Sequence, residues 1–174
     1  MNTTMFRLDL ERIPYFELPD GYGMRPYQSG DIQYWLDFHI PLFDEGDITE
    51  DLFWREYGYD EAVLAQRQFY MTHSETVIGS ISAWFGDDER GQDLGRIHWV
   101  VLREDYQGRG LAKPLLSYAL NKLKELGHTQ AYLTTGTDLI PALSLYLKFG
   151  FEPEIRTEQE QQAWDIVYKT LGLI

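Results

Sequence analysis

The segment that most constrains the fold of this chain is Gln-Gly-Arg-Gly-Leu-Ala, which runs from Gln107 to Ala112. It lies between an apolar run at residues 97–102 and an amphipathic stretch at residues 111–126. This order predicts a strand, a turn with two glycines and the start of a helix. The first turn of a helix offers free N–H groups and a positive dipole end, and both favour an anion. Because glycine lets the backbone approach a phosphate closely, the segment predicts a phosphate-binding loop.

Pro114 indicates where the predicted helix begins. Proline is tolerated in the first turn of a helix, where no intrahelical N–H bond is needed, but not further inside. The helix is therefore expected to start near Gly110 and to leave the backbone N–H groups of residues 108–112 free for a ligand. Leucine and alanine recur at helical spacing up to Leu126, and Gly127 is expected to end the helix.

Two common phosphate-binding motifs do not match this loop. A P-loop has a lysine followed by serine or threonine after its second glycine, whereas Leu111, Ala112, Lys113 and Pro114 follow Gly110. A dinucleotide-binding fingerprint needs a small residue where Lys113 stands, and an acidic residue in a following strand that this chain lacks. What remains is the pattern Gln/Arg-x-x-Gly-x-Gly/Ala.

That pattern, met by Gln107, Gly110 and Ala112, resembles the pyrophosphate loop of the GNAT superfamily, the acyl-CoA N-acyltransferases. The order strand, loop, long helix, strand and short helix agrees with the family, and residues 146–153 resemble its last core helix ending. The resemblance covers roughly residues 68–156 well and the N-terminal third loosely. It implies one GNAT-like α/β (α+β) domain over residues 1–174, with a mixed, mostly antiparallel sheet whose splayed central strands are flanked by helices.

The resemblance also implies where acetyl-CoA would bind as co-substrate. The strands at residues 96–102 and 130–134 would splay, and N–H groups near Val100, Val101 and Leu102 would bind the pantetheine arm and the acyl carbonyl. The residues expected to bind the pyrophosphate are Gln107, Gly108, Arg109, Gly110, Leu111 and Ala112. Nearby Arg103 and Lys113 would help make this site basic within a chain of formal net charge −13.

Local patterns give further expectations for the remaining segments. Residues 6–10 are interpreted as a short edge strand, and Thr49 is expected to cap a helix that begins with two acidic residues. Thr137 or Asp138 is expected to cap a helix that runs to Lys148. Residues 152–156 and 163–168 are expected to be strands that close a sheet of about six or seven strands.

The implied activity is direct transfer of an acetyl group from acetyl-CoA to a primary amine in a ternary complex. The chain has no cysteine, so a thiol-enzyme intermediate and disulfides are excluded. Its four histidines show no metal-ligand spacing, and no metal is expected. A longer acyl donor or an oxygen acceptor is one alternative. An acyl-CoA-binding sensor or interaction module without transfer activity is another, because Arg96 stands where other branches of the family have a glutamate.

Two side chains are candidates for proton transfer. The resemblance assigns Tyr146, four residues before Gly150, as the group that protonates the leaving thiolate. It also assigns His98, nine residues before Gln107, as the base, a position at which the arylalkylamine branch has a histidine. Ordered water is the alternative base, and a role in core packing is the alternative for both side chains, the favoured one for His98 but not for Tyr146. The two-residue period of a strand places Arg96, His98 and Val100 on one face.

The acceptor is expected to be a cationic small-molecule or peptide amine. Asp44 and Glu45 open an acidic run at residues 44–51, in the region that forms the substrate wall in the family, although such a run also suits a solvated loop. The net negative charge disfavours nucleic acid as a partner. With no apolar run of membrane length and no signal-like start, no membrane association and a cytoplasmic location are expected. A homodimer is compatible with the sequence, which does not specify an oligomeric state.

Overall fold

A computed structural model describes residues 1–86 and 94–174. Within these residues seven strands form one sheet: β1 (Asn2–Arg7), β2 (Tyr22–Pro26), β3 (Gln68–His73), β4 (Thr76–Phe85), β5 (Leu94–Leu102), β6 (Gln130–Gly136) and β7 (Glu152–Pro153). The α-helices are α1 (Ile32–His39), α2 (Glu50–Tyr57), α3 (Glu61–Arg67), α4 (Ala112–Glu125), α5 (Ile140–Lys148) and α6 (Glu158–Leu171). No helix in the described part of the chain is long and apolar enough to cross a bilayer.

The sheet has the order β2-β3-β4-β5-β6-β1-β7, and its neighbouring strands are antiparallel except at the centre. There β5 and β6 run parallel but pair only from Leu94 to Arg96, opposite Gln130 to Tyr132. Beyond these three pairs the two strands diverge and leave a cleft. The predicted fold, a mixed and mostly antiparallel sheet with splayed central strands, is therefore confirmed.

The N-terminal strand differs from the prediction. It spans Asn2–Arg7 rather than residues 6–10, and it lies inside the sheet, between β6 and β7, rather than at an edge. Its side chains are buried alternately, as a strand with one covered face requires, and Arg7 donates hydrogen bonds to the Phe149 and Arg12 carbonyls. The expected strand at residues 152–156 is limited to Glu152–Pro153 and pairs only with β1.

Residues 163–168 were predicted as a strand, and that prediction is wrong, because they belong to α6. Thr157 Oγ1 accepts a hydrogen bond from the Glu160 N–H at 3.2 Å, while Glu160 Oε2 accepts one from the Thr157 N–H at 2.9 Å. This capping box fixes the start of the helix. The predicted cap of α5 is also wrong, since Leu139 is the N-cap and no side chain caps that helix. The predicted Thr49 cap of α2 is confirmed.

The two faces of the sheet carry different cores. Helices α4 to α6 cover a mainly aliphatic cluster, called here the aliphatic core, which includes Leu115, Leu116, Leu120, Ile81 and Leu133. Helices α1 to α3 cover a cluster called here the aromatic core, which includes Tyr27, Trp35, Phe53, Tyr57 and Tyr70, with Trp84 and Trp99 packed against it. Because side chains alternate along β3, Phe69 and Met71 enter the aliphatic core and Tyr70 the aromatic core.

Candidate active site

A β-bulge in β5 shapes the cleft beside β6. The register runs from Ser80 opposite Val101 to Ser82 opposite His98, so two residues of β5, Trp99 and Val100, oppose one residue of β4. Trp99 has a φ of 47°, in the left-handed region that a bulge accommodates. As a result His98 and Trp99 both face the aromatic core, whereas Val100 packs against the aliphatic core. The prediction that Val100 shares a face with Arg96 and His98 is therefore wrong.

The loop after β5 has the geometry that the sequence predicted. Gly108 and Gly110 have φ values of 73° and 79°, which disfavour any residue with a Cβ even though nothing lies within 4 Å of where that atom would stand. Helix α4 begins at Ala112, with Pro114 in its first turn. The N–H groups of Gly108, Gly110, Leu111 and Ala112 donate no hydrogen bond to any described residue. Free amides thus converge at a helix N-terminus, where an anion is favoured.

Side chains from the preceding turn support this loop. Gln107 Nε2 donates to the Leu102 carbonyl at 3.0 Å, and an Arg109 guanidinium nitrogen donates to the Asp105 carbonyl at 2.7 Å. The Arg109 guanidinium lies 4.6 Å from the centre of the Tyr106 ring, and Arg103 pairs with the Asp105 carboxylate at 2.8 Å. Gln107 therefore ties the loop to the end of β5, and Arg109 ties it to the turn that follows.

The end of β5 presents peptide groups to the cleft. The Arg103 N–H donates to the Ile78 carbonyl of β4 at 2.8 Å. Because peptide groups in extended backbone alternate in direction, the Leu102 N–H points to the opposite side, towards the splay. The same alternation directs the Val101 N–H to β4, where Val101 lies opposite Ser80. Leu102 is thus the predicted backbone donor for which the geometry is most favourable.

Tyr146 projects from α5 into the aliphatic core. The residue is 7% exposed, and burial raises the pKa of its hydroxyl to about 12. Its ring packs edge-on against Phe151 with centroids 6.0 Å apart. Among the described residues its hydroxyl has no hydrogen-bond partner. The phenol is therefore protonated at neutral pH and available as a donor.

His98 contacts a carboxylate that the sequence did not indicate. Its Nε2 lies 2.8 Å from Glu56 Oε2, and the Trp99 indole Nε1 donates to the same oxygen at 3.3 Å. Burial, above all, lowers the pKa of His98, and the hydrogen bond from His98 lowers the pKa of Glu56. A neutral imidazole therefore donates to an ionised carboxylate. Glu56 lies next to Tyr57 on the buried edge of α2, but nothing local in the sequence links it to a residue 42 positions away.

The acidic segment lies beside this pair. Asp44 and Glu45 are exposed and make no ion pair within the described part of the chain. The preceding Phe43 packs on the Trp99 ring with centroids 5.7 Å apart. A cavity of about 500 Å³ opens next to α1 and is lined by Tyr34, Asp37, Phe38, Glu75, Thr76, Val77 and Arg103. Trp99 does not line this cavity, and its own neighbours include the rings of Trp35, His39 and Phe43 and the carboxylate of Glu56.

Sequence and structure comparisons agree with this architecture. Residues 31–151 match the model of the acetyltransferase (GNAT) family. The chain is 30% identical over 148 residues to a mycothiol acetyltransferase from Geodermatophilus obscurus, covering 79% of this chain and 47% of that protein. It thus spans about half the length of the first curated relatives it matches.

Two solved structures show the same fold. A GCN5-related N-acetyltransferase from Sphaerobacter thermophilus superposes with a TM-score of 0.68 at 19% identity, over 88% of this chain and 48% of that one. An Arabidopsis thaliana protein in complex with the bisubstrate analogue CoA-Ac-MVNAL gives a TM-score of 0.61 at 19% identity, over 76% of this chain and 83% of that one.

Proposed function

The chain belongs to the GNAT family of acetyltransferases, and we propose that it transfers an acetyl group from acetyl-CoA to a primary amine in a ternary complex. The observation that carries the proposal is the joint position of a diverging β5–β6 pair and a loop of unpaired amides at the start of α4. The amides of residues 108–112 would bind the pyrophosphate, and the Leu102 N–H in the cleft would bind the pantetheine arm. No metal is needed for this chemistry.

Proton transfers are assigned to two side chains, one on each face of the sheet. His98 would accept the proton of the substrate ammonium and release it to solvent, which leaves a nucleophilic amine. The amine nitrogen attacks the thioester carbon, the second N–H proton leaves, and the C–S bond breaks. The Tyr146 hydroxyl would donate a proton to the departing thiolate and regain one from water. The products are an amide and CoA thiol, with one net proton released.

The acceptor is proposed to be a cationic amine. Asp44, Glu45 and the negative net charge would attract a positive substrate, and Trp99 with Phe43 would contact its apolar part. The relatives' names point to two concrete classes, the acceptor of mycothiol acetyltransferases and a peptide. Both are compatible with a positively charged amine that reaches His98 from the α1–α2 side.

Release of CoA thiol in the presence of an amine panel tests the proposal. The panel contains polyamines, arylalkylamines, aminoglycosides, N-terminal and lysine peptides, and the acceptor of mycothiol acetyltransferases. We expect amine-dependent thiol release and a mass increase on the amine equal to one acetyl group. Acetyl-CoA binding without turnover of any amine would instead favour an acyl-CoA sensor.

The sensor alternative rests on Arg96. Its Nε is buried without a hydrogen-bond partner in the described part of the chain, and its guanidinium lies 5.7 Å from the centre of the Tyr132 ring. An arginine cannot act as a base. An active enzyme therefore requires another proton acceptor, and His98 is the nearest candidate on the same strand.

A further inference from the structure

The carboxylate of Glu56 contacts both His98 and Trp99 but has no role in the proposed function so far. Glu56 lies outside the acidic run and comes from α2, while both partners come from the bulge of β5. One carboxylate oxygen receives both hydrogen bonds, at 2.8 Å from His98 Nε2 and 3.3 Å from Trp99 Nε1. The Glu56 side chain is 27% exposed and the His98 side chain 8%. A partly buried carboxylate thus has two directional donors from consecutive residues.

The bulge is what makes this arrangement possible. In a regular strand His98 and Trp99 would point to opposite faces. The left-handed conformation of Trp99 turns both side chains towards α2, so that one carboxylate reaches both. Such backbone conformations cost roughly 1–3 kcal/mol and persist where the surroundings enforce them. Trp99 is further enclosed by Trp35, His39 and Phe43, with ring centroids 5.0 to 5.7 Å away.

We propose that Glu56 is a positioning residue that fixes the tautomer and orientation of His98, so that His98 Nδ1 is the lone pair presented to the acceptor amine. A carboxylate only accepts hydrogen bonds, so the Nε2 atom beside it must carry the ring proton. The other nitrogen, Nδ1, then has the free lone pair, and it has no partner among the described residues. This inference rests on the proposed function for its chemistry, because it extends the base role of His98.

The proposed proton transfer moves one proton from the substrate ammonium through His98 to solvent. Nδ1 takes one proton from the substrate ammonium, and the resulting imidazolium has N–H groups on both nitrogens. Glu56 stabilises that cation across the Nε2–H bond, and solvent then removes the proton from Nδ1. The carboxylate stays ionised throughout, as its lowered pKa requires.

Charged groups around His98 act in opposite directions. Burial and Arg96 lower the pKa of His98, whereas the Glu56 hydrogen bond and charge raise it. His39 of α1 also faces His98 and is itself held neutral by burial, and Tyr57 of α2 packs on the ring at 5.7 Å. The net effect lowers the pKa of His98 below its usual 6.5, so the base form dominates at pH 7.

Two variants should therefore move the acid limb of the rate profile in opposite directions. Glu56→Gln removes the carboxylate, so the acid limb should move to lower pH. The plateau of kcat should fall at least roughly tenfold, but by no more than the ~10²–10⁴-fold that a general base contributes. Arg96→Gln should move the limb to higher pH. Glu158→Gln, a change at an exposed glutamate of α6 outside the acidic run, is the matched control and should leave the profile unchanged. Affinity for CoA, measured by calorimetry, should stay the same in all three variants.

A double variant and NMR separate positioning from simple packing. If Glu56 acts through His98, then Glu56→Gln combined with His98→Ala should be no slower than His98→Ala alone. The ¹⁵N shifts of the His98 ring should show Nε2–H in the wild type and an altered tautomer ratio in Glu56→Gln. The NMR measurement needs no turnover, so it decides the role of Glu56 even if the proposed transferase activity fails. Additive losses in the double variant, limbs that shift together, or an unchanged His98 tautomer would overturn the proposal.

Discussion

The two faces of the sheet differ in whether their buried side chains carry polar atoms that lack hydrogen-bond partners. In the aliphatic core, side chains such as Leu115, Leu116 and Leu120 are fully buried and offer no polar atoms that need partners. In the aromatic core, Ser80 Oγ and His39 Nε2 are buried without hydrogen-bond partners among the described residues. An unsatisfied buried polar atom costs stability, so a face that keeps several of them is less optimised for folding.

The two faces of the sheet also differ in their proposed roles. The aliphatic core holds α4 and with it the amides proposed to bind CoA. The aromatic core holds Glu56, His98 and Trp99, which are proposed to serve proton transfer. Stability lost at functional positions is commonly offset elsewhere in a fold.

Tyr146 is the exception on the aliphatic face, because its hydroxyl is the catalytic candidate there. Tyr146→Phe should lower kcat by ~10²–10⁴-fold with little change in the KM for acetyl-CoA, since a proton donor acts mainly in the transition state. The free energy of unfolding should change little, because the hydroxyl has no partner to lose among the described residues. Tyr168→Phe on α6 is the control. Wild-type turnover by Tyr146→Phe would assign Tyr146 to packing.

Truncation should affect stability very differently on the two faces. Leu120→Ala, at a fully buried position of α4, should lower the free energy of unfolding by about 2–5 kcal/mol. Ser80→Ala should be neutral or slightly stabilising, because it removes a buried hydroxyl that has no partner. Urea denaturation with a shared m-value measures both. Equal losses in the two variants would contradict the division between the faces.

Acid should destabilise the aromatic core through His39. Burial lowers the pKa of His39 to about 4 in the folded chain, against 6.5 for the unfolded chain. The unfolded state therefore binds a proton first as the pH falls, and stability is lost between pH 6.5 and about 4, by about 3 kcal/mol in total. His39→Gln should flatten this part of the stability curve. The measurement is the denaturation midpoint as a function of pH.

Gly110 tests the nucleotide loop that α4 supports. Gly110→Val forces a branched side chain to a φ of 79° and should cost roughly 1–3 kcal/mol of local strain while blocking the approach of a phosphate. Calorimetry should show that most of the CoA affinity is lost. Gly30→Val introduces comparable strain at a φ of 93°, also in open space, and should leave CoA binding intact. Equal CoA affinity in both variants would remove the phosphate site from this loop.

Local patterns in the sequence predicted most of the elements but not how distant ones meet. The α4 start followed from Pro114, and the α2 cap from Thr49, because both signals lie within a few residues. The interior place of β1 did not follow, since it depends on pairing with β6 across more than a hundred residues. The error at residues 163–168 was avoidable, because Thr157 and Glu160 form a capping box that precedes helically spaced Trp164 and Val167.

In the candidate site, too, the sequence predicted local features but not contacts between distant residues. The loop amides could be predicted, because strand, glycine turn and helix are contiguous in the chain. The faces of β5 could not, since a bulge at Trp99 reverses the alternation after it. The partnership of Glu56 with His98 is tertiary, so no spacing rule indicates it. Whether Tyr146, His98 and the loop residues carry the assigned roles stays a prediction for the measurements above.

The smallest expected effect concerns the acidic run beside the aromatic core. Asp44 and Glu45 are exposed, so their attraction for a cationic amine is screened by salt and contributes modestly. Changing both to Asn and Gln should raise the KM for a cationic acceptor by a few-fold at low salt, equivalent to less than ~1 kcal/mol, and leave acetyl-CoA binding unchanged. Asp165→Asn and Glu158→Gln on α6 remove the same charge from the aliphatic side and serve as the control. If both double variants raise KM equally, the net charge rather than the acidic run attracts the amine. If the best acceptor is anionic, the acidic run is a solvated loop and the aromatic face binds a different kind of substrate.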